Sequence, residues 1–203
     1  MFGSVRNASR TARILLIIPL LAFLTSGCGF NSIPTYEEQA KAAWSEVLNQ
    51  YQRRSDLIPN LVETVKGYAK QESTVLEAVT AARAQATSIQ VNASTINDPE
   101  AFKKFQEAQA QLSSSLGRLL AISESYPDLK SNQNFLALQS QLEGTENRIS
   151  VARRDYIEAV RIYNTELRTF PGRVWASIFY TSNKPMEEFT VEDSVKQPPQ
   201  VKF

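Results

Sequence analysis

Apolar residues recur at helical spacing along most of this 203-residue chain. Between Tyr36 and Tyr68 they lie three, four or seven positions apart, which is the period of one face of an α-helix. The members of this stripe are Ala40, Trp44, Val47, Leu48, Tyr51, Ile58, Leu61, Val62, Val65 and Tyr68. The pattern predicts a helical rod of about 50 Å at 1.5 Å per residue, with Thr35 as its N-cap.

Three further helical segments follow the first one. Residues 67–72 loosen the first stripe, and a narrower stripe then runs from Val75 to Ile89. Asp98-Pro99-Glu100 is a strong helix start, because it combines a cap, a proline at the first helical position and an early acid. The stripe that follows ends at Tyr126-Pro127, since a residue before proline is disfavoured in helical conformation. The most regular stripe of all spans Phe135 to Leu167.

These segments predict an all-α protein, an elongated antiparallel bundle of three to four long helices with coiled-coil-like seams. We place the bundle in residues 36–180 and an extended or mobile tail in residues 181–203, where prolines and acids dominate. A short apolar stretch, Val174–Tyr180, follows the break at Phe170-Pro171-Gly172. We expect this stretch to cap one end of the bundle; the alternative is that it lies on a membrane surface.

Pro59 falls inside the first predicted helix. A proline there removes one backbone hydrogen bond and clashes with the preceding turn, at about 3 kcal/mol. The stripe resumes in phase after it, which favours a kink near residues 55–58 over a stop. Ser55 and Asn60 are the side chains that could satisfy the released carbonyl groups.

Charged residues stand close to this proline, and they give the candidate site. The residues of this cluster are Arg53, Arg54, Asp56, Pro59 and Asn60. One interpretation is a polar interaction site where freed carbonyls and paired charges meet a ligand or partner. The other, which we favour, is a set of ion pairs that locks the bundle, because buried charges usually require partners.

The first residues have the layout of an export signal. Three arginines precede the apolar run Ile14–Leu24, which contains Pro19 and is shorter than the roughly 20 residues that a spanning helix needs. The following LTSGC resembles a bacterial lipobox, with cleavage before Cys28 and lipid attachment to it. We therefore assign residues 1–27 to a signal peptide and residues 28–35 to the lipidated cysteine and a spacer. The alternative is an uncleaved membrane anchor.

Both alternatives place the body of the chain on the exported side of the cytoplasmic membrane. A lipoprotein there would lie at the periplasmic face. Gly29 after the cysteine resembles the default for sorting to the outer membrane, where an aspartate would favour inner-membrane retention. The partner predicted from this segment is thus the membrane itself.

Composition excludes several classes of function. The chain has no histidine and one cysteine, so it lacks the commonest general base and cannot form an intrachain disulfide or thiolate metal cluster. Without the arginines of the signal the body is slightly acidic, which argues against nucleic-acid binding. No phosphate-binding glycine loop or metal-ligand spacing occurs. We therefore expect no enzymatic activity, no metal and no cofactor.

Several long blocks of the chain resemble the LemA family. They are GCGFNSIP, AAWSEVLNQYQRRSDLIPNLVETVKGYA, LEAVTAARAQA, YPDLKSNQNFLALQSQLEGTENRISVARRDY and the terminal PPQVKF. The resemblance implies a membrane-attached, largely helical bundle of undefined biochemical function. It implies no catalytic residues.

Three functions remain as hypotheses. The first is a lipid-anchored helical interaction or scaffold protein of the bacterial cell envelope, with protein partners there. The second is a small-ligand or sensory binding module at the Pro59 kink. The third is an amphipathic bundle that remodels membranes.

Overall fold

The computed structural model describes residues 29–92 and 94–190, and this part of the chain contains α-helices and no β-strand. The helices are α1 (Ser32–Tyr68), α2 (Ser73–Ser88), α3 (Pro99–Ser123), α4 (Pro127–Lys130), α5 (Gln133–Arg168) and α6 (Gly172–Ile178), with a 3-10 turn at Thr95–Asn97. The prediction of an all-α fold is confirmed for these residues. The predicted signal segment, Cys28 and the closing residues 191–203 lie outside the described part.

The two longest helices, α1 and α5, run antiparallel along each other. At one end the Ser32 hydroxyl donates a hydrogen bond to the Glu166 carboxylate, and at the other Asn132 Nδ2 donates to the Tyr68 hydroxyl at 2.8 Å. Helix α2 packs against α3 and against α1. We call the end where α1 begins and α5 finishes the N-terminal end, and the opposite one the far end.

Most helix boundaries agree with the sequence predictions. Asp98 caps α3 by accepting hydrogen bonds from the backbone N–H groups of Glu100 and Ala101, and Asn132 caps α5 through the N–H of Phe135. Both side chains satisfy N–H groups that have no partner inside the helix.

The predicted start of α1 is wrong. The helix begins at Ser32, and Thr35 lies in its first turn, where its hydroxyl donates to the Asn31 carbonyl at 2.7 Å. Two features explain the earlier start. Ile33 is fully buried, and a proline such as Pro34 is tolerated in the first turn, where its missing N–H costs nothing. Residues 32–35 of the predicted spacer segment are therefore helix.

The core consists of two apolar clusters. The aromatic half lies toward the N-terminal end and contains Ile33, Ala40, Trp44, Val47, Tyr51, Ile96, Phe102, Phe105, Ile149, Ala152, Tyr156, Val160, Tyr163, Met186 and Phe189. The aliphatic half lies toward the far end and contains Ile58, Leu61, Val65, Ala69, Leu76, Val79, Ala82, Ala86, Ala108, Leu112, Leu116, Leu119, Leu129, Phe135 and Leu142. Along each long helix, buried polar residues separate the two. We call Arg54, Ser55, Gln109 and Thr145 the polar layer.

The segment 181–190 is part of the folded unit, which corrects the expectation that the bundle ends at residue 180. It forms neither helix nor strand, yet backbone bonds hold it to the bundle. The Tyr156 hydroxyl donates to the Glu187 carbonyl at 2.7 Å, and the Glu187 N–H donates to the Ile96 carbonyl at 2.7 Å. Its buried side chains are Met186 and Phe189. These apolar residues explain why the segment packs instead of staying mobile.

Candidate functional site: the polar layer and the N-terminal end

Helix α1 continues through Pro59 without a break. Because proline has no N–H, the Ser55 carbonyl, four residues earlier, loses its partner within the helix. Arg83 of α2 takes that place, and its Nε donates to the Ser55 oxygen at 2.9 Å. The expectation that the Ser55 and Asn60 side chains would satisfy the freed carbonyl is therefore wrong. A neighbouring helix does so instead.

The five residues of the predicted cluster do not form one site. Arg54 points into the bundle and is 1% exposed, whereas Arg53, Asp56, Pro59 and Asn60 are all exposed. Helical geometry separates them, since consecutive residues point about 100° apart around the axis. Asp56 accepts a bond from Gln52 Nε2 at 2.7 Å on its own helix. Only Arg54 belongs to the polar layer.

Arg54 joins three helices. Its Nη1 donates to Glu146 of α5 at 2.8 Å and to Ser113 of α3 at 2.7 Å, and its Nη2 donates to the Gln109 side chain at 2.6 Å. The Arg54 Nε atom is buried without a hydrogen-bond partner among the described residues. The sequence indicated no link to these three residues, because 55 to 92 positions separate them from Arg54.

A groove of about 340 Å³ opens beside the polar layer. Its walls include the Tyr51 ring, 5.0 Å from the Arg54 guanidinium carbon, and the Phe189 ring, 4.4 Å from that of Arg153. Burial raises the pKa of the Tyr51 hydroxyl, so this wall stays neutral at physiological pH. Two guanidinium groups and the Glu146 carboxylate line the groove, so its charged side chains sum to one positive charge. It is suited to a small anion.

At the N-terminal end the first described residues fold directly onto the bundle. Gly29 has φ of +104°, a conformation that glycine adopts without strain, and its carbonyl accepts the Ser32 N–H. The Phe30 ring lies 5.6 Å from Trp175 and 5.4 Å from Phe179, centroid to centroid. The Tyr180 hydroxyl donates to the Phe30 carbonyl at 3.2 Å. The chain therefore passes from residue 29 into α1 without a loose linker.

Glycine is required at one more position of this end. A Cβ atom on Gly172 would lie 2.3 Å from the Glu166 carbonyl oxygen, so α6 can approach the last turns of α5 only because position 172 has no side chain. The two helices and the first residues of α1 thus form one packed end, in which the Glu166 carboxylate also receives the Ser32 hydroxyl.

Within residues 29–92 and 94–190, no three histidine, cysteine or acidic side chains are grouped so that they could hold a metal ion. In the same part of the chain, none of the helices has both the length and the apolar character that crossing a membrane requires. Cys28, the predicted lipid attachment site, precedes these residues.

Comparison with known proteins gives the family. The sequence model of the LemA family matches residues 43–203. Magnetosome protein MamQ 2 of Paramagnetospirillum magneticum is 25% identical over 201 residues, covering 91% of this chain and 73% of the relative. Magnetosome protein MamQ of Magnetospirillum gryphiswaldense is 26% identical over 190 residues, covering 85% and 69%. The chain belongs to the LemA family.

Proposed function

We propose that this protein is a scaffold of the bacterial cell envelope, an elongated antiparallel helical bundle tethered to a membrane through a lipid on Cys28. The observation that carries the proposal is the direct seating of Gly29 and Phe30 on the folded end. Because α1 begins four residues after Cys28, an anchor at that cysteine would be coupled rigidly to the bundle.

A rigid tether suits a scaffold. The 37 residues of α1 span about 55 Å at 1.5 Å per residue, and α5 pairs with it along that length. One end would then lie at the membrane while the far end projects from it. Projecting helices offer partner proteins a long exposed surface at a fixed distance from the lipid.

Composition supports an organising role rather than catalysis, whereas the relatives are named only as magnetosome proteins. The sequence supplies no histidine, and its one cysteine is the proposed lipid site. We therefore extend the proposal to a protein without enzymatic activity, exposed on the periplasmic side of a membrane.

Cross-linking in envelope membranes tests the scaffold. The full chain is captured after cross-linking and compared with a Cys28→Ser variant, which lacks the attachment site. We expect the same envelope proteins in repeated captures of the wild type and their loss in the variant. Repeated captures that contain no common partner would contradict the proposal.

The groove at Arg54 supports a second candidate, a module that binds a small anion. Its volume is in the range of ligand sites, and the partly exposed Arg153 side chain lies on its wall. This site differs from the predicted one. Among the five residues of the predicted cluster, Arg54 is the one that lines the groove.

Thermal shifts with a panel of carboxylates and phosphates test this candidate. Arg153→Ala removes a groove charge while the Arg54 bonds remain, and Arg154→Ala is the matched control on the exposed neighbour. A ligand at the groove should raise the melting temperature of the wild type and the control but not of Arg153→Ala. If no compound distinguishes the two variants, the groove is not a ligand site.

A further inference from the structure

Exposed large apolar side chains are concentrated at the N-terminal end. In the described part of the chain, two such side chains lie near the far end and one lies midway along α5. Five lie in a surface that we call the terminal patch, with exposures of 38% for Phe30, 85% for Phe170, 41% for Val174, 60% for Ile178 and 58% for Phe179. Clustered exposed apolar residues mark interaction sites, whereas apolar residues scattered singly are ordinary.

Helix α6 arranges the side chains of the terminal patch. Val174 and Ile178 are four residues apart and therefore lie on one helix face. Trp175 and Phe179 turn toward Phe30, which packs against both of them. Helix α6 thus supplies Val174 and Ile178, and the turns that flank the helices supply Phe30, Phe170 and Phe179.

Basic side chains predominate in the segments that form the patch. Residues 29–36 and 167–186 contain three basic residues and no acidic one; the basic residues are Arg168, Arg173 and Lys184, and all three are exposed. Three acids flank these segments. Glu37 pairs with Lys41 at 2.8 Å, Glu166 accepts the neutral Ser32 hydroxyl, and Glu187 follows Met186 where the chain bonds to Ile96. The three exposed basic residues nevertheless lie closest in the chain to the apolar ones. Aromatic and aliphatic side chains accompanied by arginine and lysine match the interface of an anionic bilayer, where rings lie at headgroup depth and basic groups meet lipid phosphates.

The position of the patch in the chain identifies what it meets. Phe30 is two residues from Cys28, so the patch lies within about 7 Å of chain from that residue. The apolar run Ile14–Leu24 is the other candidate anchor, and it too precedes Gly29 in the chain. Either anchor brings this end of the bundle to the lipid surface.

We propose that the terminal patch docks on the surface of an anionic lipid bilayer and so fixes the orientation of the bundle relative to the membrane. The proposal rests on the proposed function, because the anchor supplies the proximity. It adds a second contact, in which Phe170, Val174 and Ile178 enter the interface and the three basic residues bind phosphate groups. The anchor sets the position of this end at the membrane, and the second contact sets the tilt of the bundle relative to the lipid surface.

Nitroxide labels on the full chain test the docking. One cysteine is introduced at the patch, Ile178→Cys, and a matched one midway along α5, Val151→Cys, where an aliphatic side chain is 47% exposed. Both variants are reconstituted in vesicles of phosphatidylglycerol and phosphatidylethanolamine. Collision with oxygen, which concentrates in lipid, is compared with collision with a water-soluble nickel complex. We expect position 178 to favour oxygen several-fold over position 151, and position 151 to favour nickel.

Three results would overturn the docking while the protein stays on the vesicles. Equal collision ratios at both positions would show that the patch faces water. Spin–spin broadening at 178 would show that a second copy covers it, and protection from both reagents would show that the first 28 residues or another protein segment covers it. Loss of the protein from the vesicles would instead contradict the tether, and a mass measurement of Cys28 on the same sample separates these failures.

Charge reversal gives an independent test. Removing one positive charge near an anionic surface lowers the ratio of docked to undocked bundle about fivefold. Arg168→Glu combined with Arg173→Glu should therefore shift the 178 label toward nickel in anionic vesicles. The same shift should occur in the wild type when phosphatidylcholine replaces the anionic lipid. An unchanged oxygen preference in both cases would contradict the assignment of an anionic surface.

Discussion

The two halves of the core differ in the side chains they use and in what covers them. The aromatic half packs Trp44 against Phe102, Phe105, Tyr156 and Phe189, with ring centroids 5.2 to 6.0 Å apart. The aliphatic half is built mostly from leucine, isoleucine, valine and alanine on α1, α2, α3 and α5. The aromatic half is covered by irregular segments, namely the loop around Ile96 and residues 181–190. The aliphatic half is covered mostly by regular helices.

This difference has a physical origin. Facing helices offer repeating ridges and grooves that leucine and alanine fill well. An irregular segment leaves uneven space, and large rigid rings fill it with few side chains. The aromatic half is also the one next to the proposed anchor. The comparison therefore indicates that the aromatic core forms the end of the molecule next to the proposed anchor. The polar layer connects this core to the aliphatic helical core at the far end.

The largest expected effect is the loss of the central ring of the aromatic half. Trp44→Ala should lower the free energy of unfolding by about 4 kcal/mol, against about 3 kcal/mol for Leu119→Ala in the aliphatic half. Urea unfolding of the full chain in detergent, followed by circular dichroism, measures both. Hydrogen exchange then shows how far each loss spreads. If the halves form one unit, protection falls on both sides of the polar layer; a loss confined to one half would contradict this.

Removing the guanidinium of the polar layer should be nearly as costly. Arg54→Ala leaves the buried Gln109 amide without its partner, and we expect a loss of about 3 kcal/mol. The value lies at the low end for a buried pair because the Glu146 side chain is 42% exposed and can be hydrated. Arg53→Ala, one residue away on the exposed face, should stay within about 0.5 kcal/mol. Similar losses for the two variants in the same unfolding assay would refute the structural role of Arg54.

The close approach of α6 to α5 gives a test specific to the N-terminal end. Gly172→Ala places a Cβ against the Glu166 carbonyl, and overpacking of this kind costs about 2 kcal/mol. Gly117→Ala, in α3 beside the aliphatic half, meets no atom within 4 Å and should stabilise the protein by about 0.7 kcal/mol. Melting temperatures of the two variants should therefore move in opposite directions. A shared direction would mean that the packing at 172 is looser than described.

Alkaline pH should destabilise the protein through the buried tyrosines of the aromatic half. Burial raises the pKa of the Tyr156, Tyr51 and Tyr163 hydroxyls in the folded state, while the unfolded chain releases these protons near pH 10. The stability that these neutral hydroxyls contribute to the folded state is therefore fully present below about pH 10. It is lost as the pH rises toward their folded-state pKa values. Tyr156→Phe should cost about 1 kcal/mol at neutral pH through the lost bond to Glu187.

The Tyr156→Phe variant also separates ionisation from other alkaline effects. With that phenol removed, stability should fall less steeply above pH 10 than in the wild type. Identical slopes would show that Tyr156 ionises as freely in the folded protein as in the unfolded chain.

Local patterns were enough to predict the helices. Apolar periodicity located the long ones, and Asp98 and Pro99 marked a start that the structure confirms. These signals act within a few residues and need no knowledge of the rest of the fold. The start of α1 was missed because its reason, the burial of Ile33, is a tertiary one.

The candidate site was predictable only in part. The apolar stripe of the first helix, with its spacing 51–54–58, could have separated Arg54 from Arg53, but Gln109, Glu146 and Arg83 lie on other helices, which no local signal links to Arg54. The docking of residues 181–190 was missed for the same reason, since its bonds go to Tyr156 and Ile96.

The most direct test of the tether is the mass of the mature N-terminus. Protein extracted from envelope membranes is digested, and the peptide that contains Cys28 is measured. We predict that the chain begins at Cys28 and that its mass includes a diacylglyceryl group. An unmodified Cys28 thiol, on a chain that salt or carbonate washes release from the membrane, would contradict the account.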